Sequence, residues 1–63
     1  MTKDEAIKCM KSGDKVSHPY FSKEEWITMK NNFIVTEEGY EMDADEFWSY
    51  RRYPAFEIDW FIV

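Results

Sequence analysis

The sequence predicts an α+β domain: a small antiparallel sheet of three or four strands with an amino-terminal helix and a second helix near residues 44–53. Three observations carry this. A capping signature occurs three times, as Thr2-Lys3-Asp4-Glu5, Ser22-Lys23-Glu24-Glu25 and Asp43-Ala44-Asp45-Glu46. In each, the first side chain can accept a hydrogen bond from the backbone three residues on, while the Glu reaches back to the first residue's N–H. Two donors that a helix start leaves free are then satisfied together. Between the second and third copies, two runs rich in β-branched and aromatic residues flank an Asn-containing turn. Beyond the third, apolar and polar residues alternate.

Residues 3–11 form the first predicted helix. Ala6, Ile7 and Met10 fall on one face, the lysines project elsewhere, and Ser12-Gly13 supplies a left-handed stop. Lys15-Val16-Ser17-His18 follows as a short extended piece, because Pro19 biases His18 away from helix. Ser22 opens a single helical turn ending near Trp26. Trp26-Ile27-Thr28-Met29 and Phe33-Ile34-Val35-Thr36 flank Lys30-Asn31-Asn32, a hairpin signal since Asn tolerates positive φ. After a second turn at Glu37-Glu38-Gly39, Tyr40-Glu41-Met42 is either an edge strand or the entry to the second helix. On that helix Ala44, Phe47, Trp48 and Arg51 make one stripe, and Pro54 ends it. The last segment places Phe56, Ile58, Trp60 and Ile62 on one face of a strand, opposite Glu57, Asp59, Phe61 and Val63.

A chain of 63 residues makes one domain over 1–63, and at this size only about 60% of the unfolded surface can be buried. One cysteine, Cys9, excludes an internal disulfide, and one histidine, His18, disfavours a His/Cys metal cage. Aromatic packing and self-association remain as supplements. The expected core is Ala6, Ile7, Met10, Val16, Phe21, Trp26, Val35, Phe47, Trp48, Ile58 and Trp60. Apolar residues on both faces at Phe33-Ile34-Val35 and at the last strand imply that the sheet has a second covered face. Either loops or a partner subunit in a homodimer or higher homo-oligomer cover it, with Ile34, Phe61 and Val63 as interface candidates.

The formal net charge of −5 opposes nonspecific binding to nucleic acid and makes a basic protein surface the more natural partner. No apolar run is long enough for a transmembrane helix, and no signal-peptide stretch is present, so no membrane association and a cytoplasmic location are expected. Catalytic signals are sparse. Only Cys9 and His18 could form a nucleophile–base pair, and Cys9 reads as a structural thiol. The carboxylate pairs lie in caps and turns, and no phosphate loop or paired-cysteine motif occurs. The expectation is a chain without enzymatic activity, cofactor or metal. The remaining candidate is a mixed basic and aromatic surface drawn from Lys15, His18, Tyr20, Trp48, Arg51 and Arg52, suited to phosphate and base stacking. Equally, Arg51 and Arg52 close a helix, where the dipole favours cations without any ligand.

Glu5-Ala6-Ile7, Met10-Lys11, Gly13, Lys15-Val16 and His18, continuing to Tyr20-Phe21, are similar to the opening of small proteins encoded by phages and mobile elements of bacteria. Asp59-Trp60 with Ile62-Val63 resembles the carboxyl end of the phage anti-Thoeris proteins of the second type. That resemblance implies a non-enzymatic sponge, an oligomer that sequesters a cyclic nucleotide signal of bacterial immunity in the cytoplasm of a bacterial host. Trp26 and Glu46-Phe47-Trp48 through Arg51 resemble instead a group of small prophage and mobile-element proteins to which no site can be carried over. Two readings follow. In the first, a noncatalytic protein counteracts host defence by binding a nucleotide through His18, Tyr20, Arg51 and Arg52. In the second, an acidic protein inhibits a host protein by direct contact.

Overall fold

Thr2 starts the first helix as its spacing requires. In the computed structural model, which describes Met1–Val63, its side chain accepts from the Glu5 N–H at 3.2 Å, and Glu5 Oε1 accepts from the Thr2 N–H at 2.9 Å. Helix α1 then runs Lys3–Lys11. It stops because Gly13 takes φ 98°, which lets the Gly13 N–H reach Met10 O and the Asp14 N–H reach Cys9 O, each at 3.0 Å. This reciprocal pair closes the helix's free carbonyls. The other two capping signatures are less complete. Ser22 N–H donates to Glu25 Oε1 at 3.2 Å around one isolated turn. Asp43 Oδ2 accepts from the Glu46 N–H at 3.2 Å and starts α2, Ala44–Ser49.

The sheet has five antiparallel strands, one more than the largest number expected from sequence. They are β1 (Val16–Ser17), β2 (Ile27–Lys30), β3 (Phe33–Thr36), β4 (Glu41–Asp43) and β5 (Phe61–Ile62), in the spatial order β4-β3-β2-β1-β5. Asn31, at φ 58°, turns the β2–β3 hairpin, and the register sets Met29 opposite Ile34 and Thr28 opposite Val35. That register puts Ile34 under the helices and turns Phe33 and Val35 to the other face. The expected phase of β3 is therefore corrected: Ile34 is a fully buried core residue rather than an interface residue, and Val35 lies outside the core. A run of three apolar residues reads equally well in either phase, and only cross-strand pairing decides between them.

Two further boundaries differ from expectation. α2 ends at Ser49 rather than near 53, because bonds from Tyr50 N–H to Phe47 O (3.3 Å) and Arg51 N–H to Trp48 O (3.0 Å) tighten its last turn. The chain then extends to Tyr53, as a residue before proline prefers. Pro54 opens a 3-10 turn over Pro54–Glu57, so the predicted strand through 56–62 shrinks to Phe61–Ile62. Asp59 at φ 72° breaks the alternation, and Ile58, expected in the core, is 54% exposed.

Ala6, Met10, Val16, Ile27, Ile34, Phe47 and Trp60 form the buried core, with Ile7, Phe21, Trp48 and Phe56 packed against it. α1, α2 and the 3-10 turn all lie on one face of the sheet. No helix is long and apolar enough to cross a membrane.

Candidate functional site

His18 leaves β1 into the tightest side-chain network in the molecule. The residue is 3% exposed, and the Tyr20 N–H donates to Nδ1 at 3.1 Å. Nε2 therefore carries the hydrogen, and it sits 2.8 Å from Ala55 O and 2.9 Å from Ile58 O. The imidazole thus ties the 3-10 turn to the end of β1. Around it lie Phe56 at 4.8 Å, Trp60 at 4.9 Å and Tyr20 at 5.5 Å between ring centroids. Trp60, itself buried, donates from Nε1 to Phe56 O at 2.7 Å. With both nitrogens committed to backbone groups, His18 offers nothing to a ligand and leaves the candidate nucleotide-binding set. Its partners lie 37 and 40 residues further along the chain, beyond the reach of a local motif.

The other members of that set do not converge into a pocket. Tyr20 is 72% exposed, with its ring edge-on to Phe56 at 5.9 Å. Arg51 places its guanidinium 4.2 Å over the Phe47 ring and 5.9 Å over Phe21, so its charge already rests on aromatic faces. Arg52 is exposed. Trp48 is covered by the Lys3 ammonium at 4.9 Å. Lys15 lies on the opposite side of the sheet, over the Trp26 ring at 4.5 Å. Cys9 Sγ contacts Met1 Sδ at 3.7 Å rather than any base. No three His, Cys, Asp or Glu side chains converge as a metal site.

The molecule's one recess, about 260 Å³, is lined by Asn32, Asp43, Ala44 and Asp45. Two carboxylates there repel phosphate. They belong to a wider feature that residue-by-residue reading of caps and turns missed. Between Lys30 and Arg51 there is no Lys or Arg, while Glu37, Glu38, Glu41, Asp43, Asp45 and Glu46 supply six acids. The remaining seven acids and eight bases nearly balance, so the whole net charge of −5 arises from this segment. The fold gathers it into β4, the turn before it and the start of α2, one margin of the sheet. Tyr40, 69% exposed, projects from the same margin. The signal was present in the sequence as a stretch of one charge sign, and the sheet order turns that stretch into an edge.

Phe61 and Val63, expected at an interface, are both exposed on the face away from the helices, together with Phe33. No protein-family model, curated protein or solved structure matches the chain.

Proposed function

We propose that this chain is a noncatalytic interaction protein of a phage or mobile element, acting in the bacterial cytoplasm by docking its acidic margin on a basic protein of the host. The observation that carries this reading is the segregation of charge: six carboxylates and no cation between Lys30 and Arg51, displayed on one edge beside an exposed Tyr40. Like-signed surfaces of this kind steer association with the opposite charge, and a projecting tyrosine is a frequent energetic anchor at protein interfaces. Inhibition of a host defence component fits the setting implied by the resemblance of the amino-terminal segment to phage and mobile-element proteins. Sequestration of a nucleotide is the weaker reading, because His18 is consumed by the fold and the recess carries carboxylates.

The test is quantitative capture from a bacterial lysate with wild-type protein and a Glu37→Lys/Glu38→Lys/Tyr40→Ala variant, at low and at high salt. The reading expects a basic protein retained by wild type, lost in the variant and released by salt. A parallel thermal-shift series with cyclic di- and trinucleotides should show no stabilisation. A ligand-dependent rise in Tm, or capture indifferent to the variant, overturns the reading.

A further inference from the structure

The face of the sheet away from the helices is filled at β1, where Ser17 is buried and its Oγ donates to Glu25 O at 2.6 Å, and is only half-buried or exposed from β2 to β4. The strand registers place Phe33, Val35, Thr28 and Lys30 on that face, and Glu41 and Asp43 lie across from Val35 and Phe33 on β4. Lys15, which precedes β1, is on the same side, since its ammonium covers Trp26. Phe33 is 44% and Val63 64% exposed. The sheet edges, by contrast, are guarded. The outer backbone groups of β4 belong to Glu41 and Asp43, whose side chains repel a pairing strand. Beside β5, Trp60 N–H donates to Met1 O at 3.0 Å and the Met1 ammonium donates to Trp60 O at 2.7 Å.

We propose that a second copy of this chain covers this face, with the two sheets packed face to face about a twofold axis. The charge pattern selects this occupant. An axis running along the strands between β2 and β3 lays β4 of one copy over β1 of the other and β3 over β2. Glu41 then faces the partner's Lys15, Phe33 meets the partner's Lys30 side chain, and Val35 packs on Thr28. Each contact occurs twice, as an isologous interface requires. Glu41 of the acidic β4 is thereby matched by Lys15 of the second copy, and the Glu37–Tyr40 turn and α2 stay outside the interface. Strands of only two to four residues make a contact smaller than the ~800 Å² per partner of a standard interface, so a weak dimer, micromolar in Kd, is expected. Such a dimer also supplements a core of seven buried apolar residues, which no internal disulfide reinforces.

Sedimentation equilibrium of the purified chain over a concentration series tests this, with urea unfolding monitored by circular dichroism to confirm that every variant folds. The wild type is expected to move from monomer to dimer with rising concentration. Phe33→Glu should abolish the dimer. Lys15→Glu and Glu41→Lys should each weaken it about tenfold or more, and the double variant Lys15→Glu/Glu41→Lys should restore it to within about threefold of wild type. A chain that remains monomeric up to about 0.1 mM, where a micromolar interface is filled, overturns the proposal. So does a dimer indifferent to Phe33→Glu, or a charge swap that fails to rescue, since either moves self-association to another surface.

Discussion

The two faces of the sheet are built from the same strands and by the same alternation, yet they differ in what covers them. Beneath the helices, Val16, Ile27 and Ile34 are sealed by Ala6, Met10, Phe47 and Trp60. On the reverse, Phe33, Phe61 and Lys30 are exposed, Val35 and Thr28 are half-buried, and only Ser17 is buried. Alternate residues of one strand thus carry two different obligations. The covered face holds the chain folded, and the reverse contributes little to the core. The comparison makes mutational effects depend on face before residue type.

The largest expected effect is on the covered side. Trp60→Ala removes the ring against which His18, Phe21, Trp48 and Phe56 pack. Truncating a buried aromatic costs about 3–5 kcal/mol, against a total of roughly 3–9 kcal/mol for a domain of this length. Loss of the cooperative urea transition is the expected result. A variant that still unfolds cooperatively within about 1 kcal/mol of wild type would show that the aromatic cluster is not the centre of the fold.

Next comes the contrast between neighbours on β3. Ile34→Ala should cost about 2–4 kcal/mol, as truncation of a fully buried aliphatic does, whereas Phe33→Ala should cost under about 1 kcal/mol at concentrations low enough to keep the chain monomeric. The larger side chain is expected to matter less, which only the phase of the strand explains. Equal losses at both positions would mean that the two faces are equally buried in solution.

This pair also marks what was legible in the sequence. The capping signatures are local chemistry, complete within four residues, and they placed α1, the isolated turn at Ser22 and the start of α2. The hairpin at Asn31-Asn32 was legible for the same reason. The phase of β3 was not, because Phe33-Ile34-Val35 offers an apolar side chain to either face and the decision rests on pairing with β2. The interruption at Asp59 was hidden by a clean alternation from Phe56 to Ile62. His18 reads from the sequence as a ligand-binding candidate, but its role depends on carbonyls at Ala55 and Ile58 that come near it only once Pro54 has turned the chain. Of the candidate site, the acidic segment could be read, whereas the failure of Tyr20, Arg51 and Arg52 to share a pocket could not, since position in space is not a property of any one segment.

A third prediction separates the histidine's hydrogen bonds from its bulk. His18→Leu keeps an apolar side chain of similar volume among Phe56, Trp60 and Phe21, but leaves Ala55 O and Ile58 O without their shared donor. Leaving buried acceptors unpaired costs about 1–3 kcal/mol, so a loss near 2 kcal/mol is expected by urea denaturation, together with faster amide exchange across 55–60. Unchanged exchange there would show that the 3-10 turn is held by its ring contacts alone.

The smallest effect lies at the edge of the covering layer and concerns acid. Hydrogen bonds from the Thr2 backbone and then the Thr2 hydroxyl region hold the Glu5 carboxyl below its ordinary value of 4.5, so the ionised form is the one α1 favours. A group whose folded pKa is depressed contributes stability above its unfolded pKa, and loses it as pH falls through the folded value. Glu5→Gln should therefore lie below wild type in Tm at neutral pH, with the gap closing as pH drops through 4.5 and below. The measurement belongs at a protein concentration low enough that no contact between copies can enter the profile. A gap that stays constant through the acid range would mean that the capping box acts through shape alone. A closing gap would place the carboxylate's charge among the forces that hold the helical layer on its side of the sheet.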